Sequence, residues 1–140
     1  MRRKIVPDVV HDQELVHLAS SASLREAAKL MRARNVASVL VLEDGRLQGI
    51  FTERDMVRRV VAAGRDPDGT TLGEVMTRNP DTIAPSSTAL DALRLMHDGG
   101  YRHLPVVEGG RVVAVVSRRD FAGLEKAQLD DETSAWERIG

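Results

Sequence analysis

The sequence predicts an α+β protein made of two copies of one strand–helix–hairpin–helix unit. When Met31 is aligned with Met96, the register continues without a gap to Asp55 and Asp120. In each copy, apolar residues first recur at the spacing of a helix and then form two short runs around a turn. A repeat combined with this change of period predicts two related units of mixed helix and strand.

Each copy begins with a short extended piece, VHLAS in the first and DTIAP in the second, and then becomes helical. Ser23 and Thr88 precede these helices and have Glu26 and Asp91 three positions later, a spacing typical of helix capping. The apolar positions at i, i+3, i+4 and i+7 are Leu24, Ala27, Ala28 and Met31 in the first copy and Ala89, Ala92, Leu93 and Met96 in the second. We therefore predict one amphipathic helix in each copy, with this face in the core.

Two strands follow each helix, and a tight turn joins them. The turns contain Asp44-Gly45 and Gly109-Gly110, which tolerate the positive φ values that a two-residue hairpin requires. A second helix is predicted after each hairpin. Its inner face is predicted to carry Met56, Val57 and Val60 in the first copy and Phe121 and Leu124 in the second.

The predicted organisation is a first repeat at residues 5–61, a linker at 62–70, a second repeat at 71–125 and a polar tail at 126–140. The linker, AAGRDPDGT, is rich in Gly, Pro and Asp, as connecting segments are. A unit of about 50 residues buries too little surface alone, so the copies are expected to pack together. The tail contains Trp136 and Ile139, and it either frays or tethers a partner subunit.

Composition excludes several classes of protein. Apolar residues form 42% of the chain, enough for a globular core. The net charge of -1 argues against a general nucleic-acid binder. The absence of cysteine excludes disulfides, thiol nucleophiles and cysteine-bound zinc. The histidines lack metal-ligand spacing, and no nucleophile, base and orienting acid occur together, so we expect neither a metal nor an enzyme. No apolar run approaches the roughly 20 residues of a membrane span, and a cytoplasmic protein without membrane contact is expected.

The segments TERD, ending at Asp55, and SRRD, ending at Asp120, stand where a strand passes into a helix. One interpretation is a capping box, in which the hydroxyl and the acid satisfy main-chain N–H groups. The other is a ligand-binding corner, because a helix start attracts phosphate and a carboxylate suits the two hydroxyls of a ribose. Capping boxes prefer Glu or Gln at the fourth position, so the shorter Asp is expected to stay available to a ligand. Both interpretations are open at this point.

These residues resemble the cystathionine β-synthase (CBS) domain, which occurs in tandem pairs called Bateman modules. The resemblance rests on VLVLEDGRLQGIFTERD and YRHLPVVEGGRVVAVVSRRD, together with the helix ends Leu30-Met31 and Leu95-Met96, and it covers roughly residues 5–125. It implies a β-α-β-β-α fold for each repeat and a pseudo-twofold axis between the repeats. It also implies clefts that bind AMP, ADP, ATP, NAD(H) or S-adenosylmethionine.

The resemblance further implies roles for individual residues. The aspartates would hold ribose, Thr52 and Ser117 would face the α-phosphate with arginines beside them, Arg102 and His103 would contact phosphates, and the backbone of the alanines would meet adenine. The residues concerned are Asp120, Ser117, Arg118, Arg119, Arg102, His103 and Ala84 in the second repeat and Asp55, Thr52, Arg54, Ser38 and Ala19 in the first. Because the first repeat has Ala37 and Ser38 where the second has Arg102 and His103, tighter binding is expected at Asp120. An exposed strand histidine without a ligand is the alternative for His103.

We therefore expect a stand-alone regulatory module that binds an adenine nucleotide, senses energy or redox state and signals to an unknown protein effector. A homodimer formed through the CBS helices is expected as well. The alternative is a scaffold or DNA-associated stress protein with vestigial clefts, and a hydrolase has the least support. Nucleic acid is not an expected partner, since Arg58 and Arg59 are interpreted as a solvated helix face.

Overall fold

The computed structural model of this chain describes residues 3–121, so the predictions for Leu124 and for the tail lie outside the described residues. The strands are β1 (His17–Leu18), β2 (Ser38–Glu43), β3 (Arg46–Thr52), β4 (Thr77–Arg78), β5 (His103–Glu108) and β6 (Arg111–Ser117). The helices are α1 (Leu24–Arg34), α2 (Glu53–Asp55), α3 (Leu72–Val75) and α4 (Ala89–Gly99). Helix α2 continues into a π-helical segment over Met56–Val61, and shorter helical turns cover Ile5–Val9 and Arg118–Asp120.

The repeat in the sequence is a repeat in the structure. The offset that aligns Met31 with Met96 also aligns the bounds of α1 with α4, of β2 with β5, and of β3 with β6. Strands β2 and β5 also share one order of exposed and buried positions along their length. The predicted α+β fold with two copies of one unit is therefore confirmed.

The helix starts predicted from the capping pairs are those observed. The Glu26 N–H donates to Ser23 Oγ at 3.1 Å, and Thr88 and Asp91 form a reciprocal capping box at the start of α4. Each of these helices also ends on a left-handed residue, Asn35 with φ 52° and Gly100 with φ 71°. The sequence therefore sets both ends of α1 and α4 through local main-chain chemistry.

The strands form two separate sheets. One has four strands in the order β1-β2-β3-β4, with β1 parallel to β2 and the other pairs antiparallel. The other contains β5 and β6, and Ile83 forms a parallel bridge to Val106 in β5. Both hairpin turns have positive φ at both central residues, as Asp44-Gly45 and Gly109-Gly110 predict.

The chain folds as two compact units, each with its own apolar core. The first unit contains residues 14–80 and 110–112, and the second contains 3–13, 81–109 and 113–121 of the described part. Buried core residues of the first unit are Leu24, Ala27, Met31, Val39, Val41, Phe51, Val60, Leu72, Val75 and Met76. Those of the second are Ile5, Val10, Ile83, Ala89, Leu90, Ala92, Leu93, Met96, Leu104, Val106, Ala114, Val116 and Phe121.

Each unit also contains the first residues of the other predicted repeat. Residues 72–78 form α3 and β4 and belong to the first unit, where the side chain of Leu72 is fully buried and β4 pairs with β3. A Cβ at Gly49 of β3 would lie 2.7 Å from the Thr77 carbonyl oxygen, so this close pairing requires glycine. Ile5 is likewise fully buried in the second unit, where its N–H donates to Ser87 O at 2.8 Å. The sequence did not predict α3 or β4.

The helix after β3 buries a narrower face than predicted. Val60 is fully buried and Met56 packs against the core, whereas Val57 is 61% exposed and Val61 is 71% exposed. Positions 56 and 60 lie on one face of the helix, which packs against the core, and positions 57 and 61 lie on the next face, which is exposed. The prediction that Val57 faces the core is therefore wrong, while the burial of Phe121 is confirmed.

Candidate functional site

The second-unit corner is the turn in which β6 ends and the chain enters Arg118–Asp120. The Arg118 N–H donates to Arg102 O at 2.9 Å, so the residue before β5 lies against the residue after β6. Arg102 and Arg119 are exposed, while Ser117 and Arg118 are partly buried. Antiparallel pairing thus brings together the hydroxyl, the arginines and Asp120, although Arg102 and Ser117 lie at opposite ends of the hairpin sequence.

The first-unit corner is built in the same way around β3 and α2. The Glu53 N–H donates to Ala37 O at 3.0 Å, and Ser38 pairs with Thr52 across the hairpin. Ser38 is partly buried, while Arg54 is exposed on the first turn of α2. The two corners therefore share a main-chain frame and differ in their side chains.

Both corner aspartates accept a hydrogen bond from their own main chain. The Thr52 N–H donates to Asp55 Oδ2 at 3.0 Å, and the Ser117 N–H donates to Asp120 Oδ2 at 2.7 Å. The capping-box interpretation therefore holds at both corners, although the fourth residue is the shorter Asp. The cap residue is extended, with ψ of 167° at Thr52 and 159° at Ser117, and this directs its N–H toward the carboxylate three positions later.

Capping leaves each carboxylate with a second oxygen. An ionised carboxylate has about four acceptor positions, and one N–H occupies only one of them. Asp120 is exposed, and its capping contact with Ser117 is the sole side-chain hydrogen bond that it makes among residues 3–121. The capping and ligand-binding interpretations of Asp120 are therefore compatible.

Asp55 is more enclosed than Asp120. Its side chain is 15% exposed, and Asp55 Oδ1 lies 3.5 Å from Arg59 Nε. Arg59 Nη1 also donates to Val75 O at 2.9 Å, which fixes the guanidinium between the corner and α3. Arg59 is 48% exposed, as a solvated helix face predicts, but it also contacts Asp55, and its spacing of four from Asp55 is the signal that could have revealed the pair.

The two corners also differ in charge. In the second, Arg102, Arg118 and Arg119 accompany the single carboxylate of Asp120, and across the described chain none of these arginines forms an ion pair. In the first, Arg54 stands between two acids, and Ala37 and Ser38 replace the basic pair of the second repeat. The second corner is thus the more favourable environment for a phosphate group.

Tyr101 fixes the loop that precedes Arg102, a role that the sequence analysis missed. Its hydroxyl donates to Asp81 Oδ2 at 2.8 Å, and burial together with this bond raises the pKa of the Tyr101 phenol. The equivalent residues of the first repeat, Val16 and Val36, pack against its apolar core. A polar pair in one repeat thus stands where the other has an apolar pair, and this correspondence is visible once the repeats are aligned.

The alanines expected to meet adenine lie away from the corner of their own unit. Ala84 follows the bridge between Ile83 and Val106, near the carboxyl end of β5, whereas the corner lies at its amino end. At about 3.3 Å per residue, the two places are about 13 Å apart along the strand. Ala19 and the first corner are separated in the same way along β2. The structure therefore does not bring Ala84 to Asp120, or Ala19 to Asp55, within one unit.

The loop after β1 is held by a contact that only the first repeat can make. Ser20 donates its N–H and its hydroxyl to Glu43 Oε1, at 3.0 and 2.8 Å, and these bonds lower the pKa of the Glu43 carboxyl. The second repeat has Pro85 at the equivalent position, which lacks an N–H group. The loop after Ala19 is therefore held by hydrogen bonds to Glu43, whereas Pro85 in the loop after Ala84 cannot donate the equivalent N–H bond.

Other classes of site receive no support from the part of the chain that the structure describes. Among residues 3–121 there is no group of three or more His, Asp or Glu side chains placed to hold a metal ion. Within the same range no helix is long and apolar enough to cross a bilayer. His103 lies at the start of β5, partly buried beside the second-unit corner.

A sequence model of the CBS domain matches residues 6–62 and 72–125, which together form most of the chain. The chain belongs to the CBS domain family. The two matched stretches make it a tandem CBS pair, in agreement with the resemblance found from the repeat. CBS-domain proteins are regulatory modules, and the second-unit and first-unit corners are the equivalent hairpin-to-helix passages of the two CBS repeats.

Two curated relatives illustrate the range of proteins that contain such a pair. CBS domain-containing protein CBSCBSPB3 of Arabidopsis thaliana is 45% identical over 92 residues, which cover 65% of this chain and 16% of that protein. CBS domain-containing protein YhcV of Bacillus subtilis is 34% identical over 109 residues, which cover 78% of this chain and 77% of YhcV. This CBS pair thus spans about a sixth of the length of the Arabidopsis relative and about three quarters of YhcV.

Solved CBS structures have the same fold. CBS domain protein PAE2072 from Pyrobaculum aerophilum, solved in complex with AMP, has a TM-score of 0.76 and 25% identity and matches 86% of this chain and 95% of that one. The hexameric CBS-CP12 protein from bloom-forming cyanobacteria has a TM-score of 0.78 and 26% identity and matches 86% of this chain and 66% of that one. One relative thus binds AMP and another assembles as a hexamer.

Proposed function

We propose that this CBS pair is a regulatory module that binds an adenine nucleotide and signals its presence to a protein effector. The observation that carries the proposal is the second-unit corner, where three arginines without ion pairs in the described chain accompany an exposed carboxylate. The AMP complex of PAE2072 supports the same class of ligand. AMP, ADP, ATP and NAD(H) all share the ribose and phosphate groups that such a corner recognises.

Each group at the corner has a distinct task in this proposal. Asp120 accepts hydrogen bonds from the ribose hydroxyls through the oxygen that capping leaves available. Ser117 faces the α-phosphate, and Arg102, Arg118 and Arg119 neutralise the phosphate chain, with His103 beside them. Selectivity among nucleotides then depends on how many phosphates these arginines contact. The cytoplasmic location expected from the sequence stays a prediction.

The proposal is tested by identifying the nucleotide and measuring its affinity. Purified protein is denatured, and any released nucleotide is identified by mass spectrometry. Stripped protein is then titrated calorimetrically with AMP, ATP and NADH, and binding also raises the melting temperature through linkage. We expect at least one of these ligands to bind. Absence of a released nucleotide together with no heat and no thermal shift for all three ligands would contradict the proposal.

We further propose that the pair forms a homodimer through its helices. Val57 and Val61 are exposed one turn apart on the helix after β3, a surface of the kind that partner chains cover. Introducing charge there by Val57→Glu with Val61→Glu is expected to raise the dimer dissociation constant at least about tenfold. Analytical ultracentrifugation measures the change, and Val113→Glu, at an exposed valine of β6, is the control. A monomeric wild-type protein at micromolar concentration would contradict the proposal.

A further inference from the structure

We propose that Arg59 decides which of the two corners accepts a nucleotide, because it occupies Asp55 and so closes the first-unit corner. The inference rests on the proposed nucleotide function and adds a residue that restricts binding to the second-unit corner. It concerns which of the two corners holds a nucleotide, and it follows from contacts of Asp55 and Arg59 within the first unit.

The contacts around Asp55 use both of its carboxylate oxygens. Asp55 Oδ2 accepts the Thr52 N–H at 3.0 Å, while Asp55 Oδ1 faces Arg59 Nε at 3.5 Å. Arg59 is held from its other side by its bond to Val75 O at 2.9 Å, so the guanidinium is not a freely mobile surface charge. The side chain of Asp55 is 15% exposed, so little of the carboxylate is accessible to a ligand.

The second repeat has no cation at the equivalent position. In the alignment that pairs Met31 with Met96, Arg59 corresponds to Leu124, so Asp120 lacks the arginine four positions later that Asp55 has. Asp120 is exposed, and its capping bond leaves one oxygen available for a ligand. The two aspartates are therefore equivalent in the sequence repeat and different in availability.

Ribose binding at the first corner would have to displace Arg59 from Asp55. The two hydroxyls of a ribose and the guanidinium compete for one carboxylate oxygen, and the hydroxyls carry no charge. A nucleotide also meets two acids there, Glu53 and Asp55, which repel its phosphates. Arg59 therefore gives Asp55 a counter-ion that a neutral sugar replaces poorly.

The test weakens the strong site and then opens the weak one. In protein carrying Asp120→Ala, binding at the second corner is weakened, and the remaining affinity for AMP is measured by calorimetry. Adding Arg59→Leu, the residue type that the second repeat has at this position, is expected to raise that affinity about fivefold. Adding Asp55→Ala to this double variant is expected to remove the gain, because the gain requires the carboxylate.

Arg58→Leu in the same Asp120→Ala protein is the matched control. It removes an equal charge from the neighbouring position without touching Asp55, so it is expected to leave the affinity unchanged. Melting temperatures of all variants establish that each is folded. If wild-type protein binds AMP but Arg59→Leu produces no gain, or a loss, the inference about Arg59 is wrong. If wild-type protein binds none of the tested nucleotides, the proposed function itself has failed.

Discussion

Replacing Asp120 by alanine is expected to weaken nucleotide binding about tenfold to a hundredfold. The variant removes an acceptor for the ribose hydroxyls, and a hydrogen bond that involves a charged group contributes about 1.5 to 3 kcal/mol. The three arginines remain, so the phosphate contacts persist and binding is weakened rather than abolished. Calorimetric titration with AMP and ATP measures the effect, and the rise in melting temperature on adding ligand should shrink in parallel.

Asp91→Ala separates ligand binding from helix capping. Asp91 forms the same reciprocal box with Thr88 that Asp120 forms with Ser117. Asp91 lies at the start of α4, however, and the second-unit corner with Arg102 lies beyond the other end of that helix. Loss of a cap costs about 1 kcal/mol in either variant, so both are expected to lose stability without ligand. Only Asp120→Ala is expected to lose affinity. Equal affinities for the two variants would show that Asp120 serves capping alone.

Replacing Leu72 by alanine is expected to lower the free energy of unfolding by about 2 to 5 kcal/mol. Leu72 is fully buried in the core of the first unit, although in the sequence it lies at the start of the second repeat. Its removal leaves a cavity among packed side chains, which costs both the lost burial and the lost contacts. Urea unfolding followed by circular dichroism measures the change.

Ile5→Ala is the counterpart in the second unit, and Leu95→Ala is the control. Ile5 is fully buried, whereas Leu95 is 36% exposed on α4, so a much smaller loss is expected for Leu95. Large losses for both Leu72→Ala and Ile5→Ala would agree with a fold in which each unit is completed by the first residues of the other repeat. Losses no larger than that of Leu95→Ala would contradict this packing.

The parts of the fold that the sequence predicted are those determined by local chemistry. Apolar spacing gives the core face of α1 and α4, caps give their starts, and residues that tolerate positive φ give the hairpin turns. The conformation of such segments is determined by the residues within them, because their hydrogen bonds join residues only a few positions apart. The repeat strengthens each of these predictions, since both copies predict the same helix or strand at the equivalent position.

The parts that were missed depend on contacts distant in the sequence. Strand β4 is very short, and its pairing with β3 depends on the close approach at Gly49 rather than on a pattern of its own. The burial of Ile5 likewise depends on a segment far along the chain, around Ser87. Short segments of this kind carry no periodic signal, so propensity and spacing alone could not place them.

The candidate site was predicted in its composition but not in its internal contacts. Alignment of the repeats identified Asp55 and Asp120 as equivalent, and antiparallel pairing brings Arg102 to Arg118 as the hairpin requires. Capping boxes prefer Glu or Gln at the fourth position, but the extended cap residue lets the shorter Asp reach the main-chain N–H at both corners. Arg59 is exposed, as predicted for a solvated helix face, but its spacing of four from Asp55 also brings the two side chains together.

The central claim is that Asp120 binds the ribose diol while it also caps its turn, and a paired comparison of ligands tests it most directly. Wild-type and Asp120→Ala proteins are each titrated with AMP and with its 2′,3′-dideoxy analogue. We expect the wild-type protein to prefer AMP by about tenfold or more, and the variant to bind both ligands with the same affinity. An undiminished preference for AMP in Asp120→Ala would show that another group recognises the sugar.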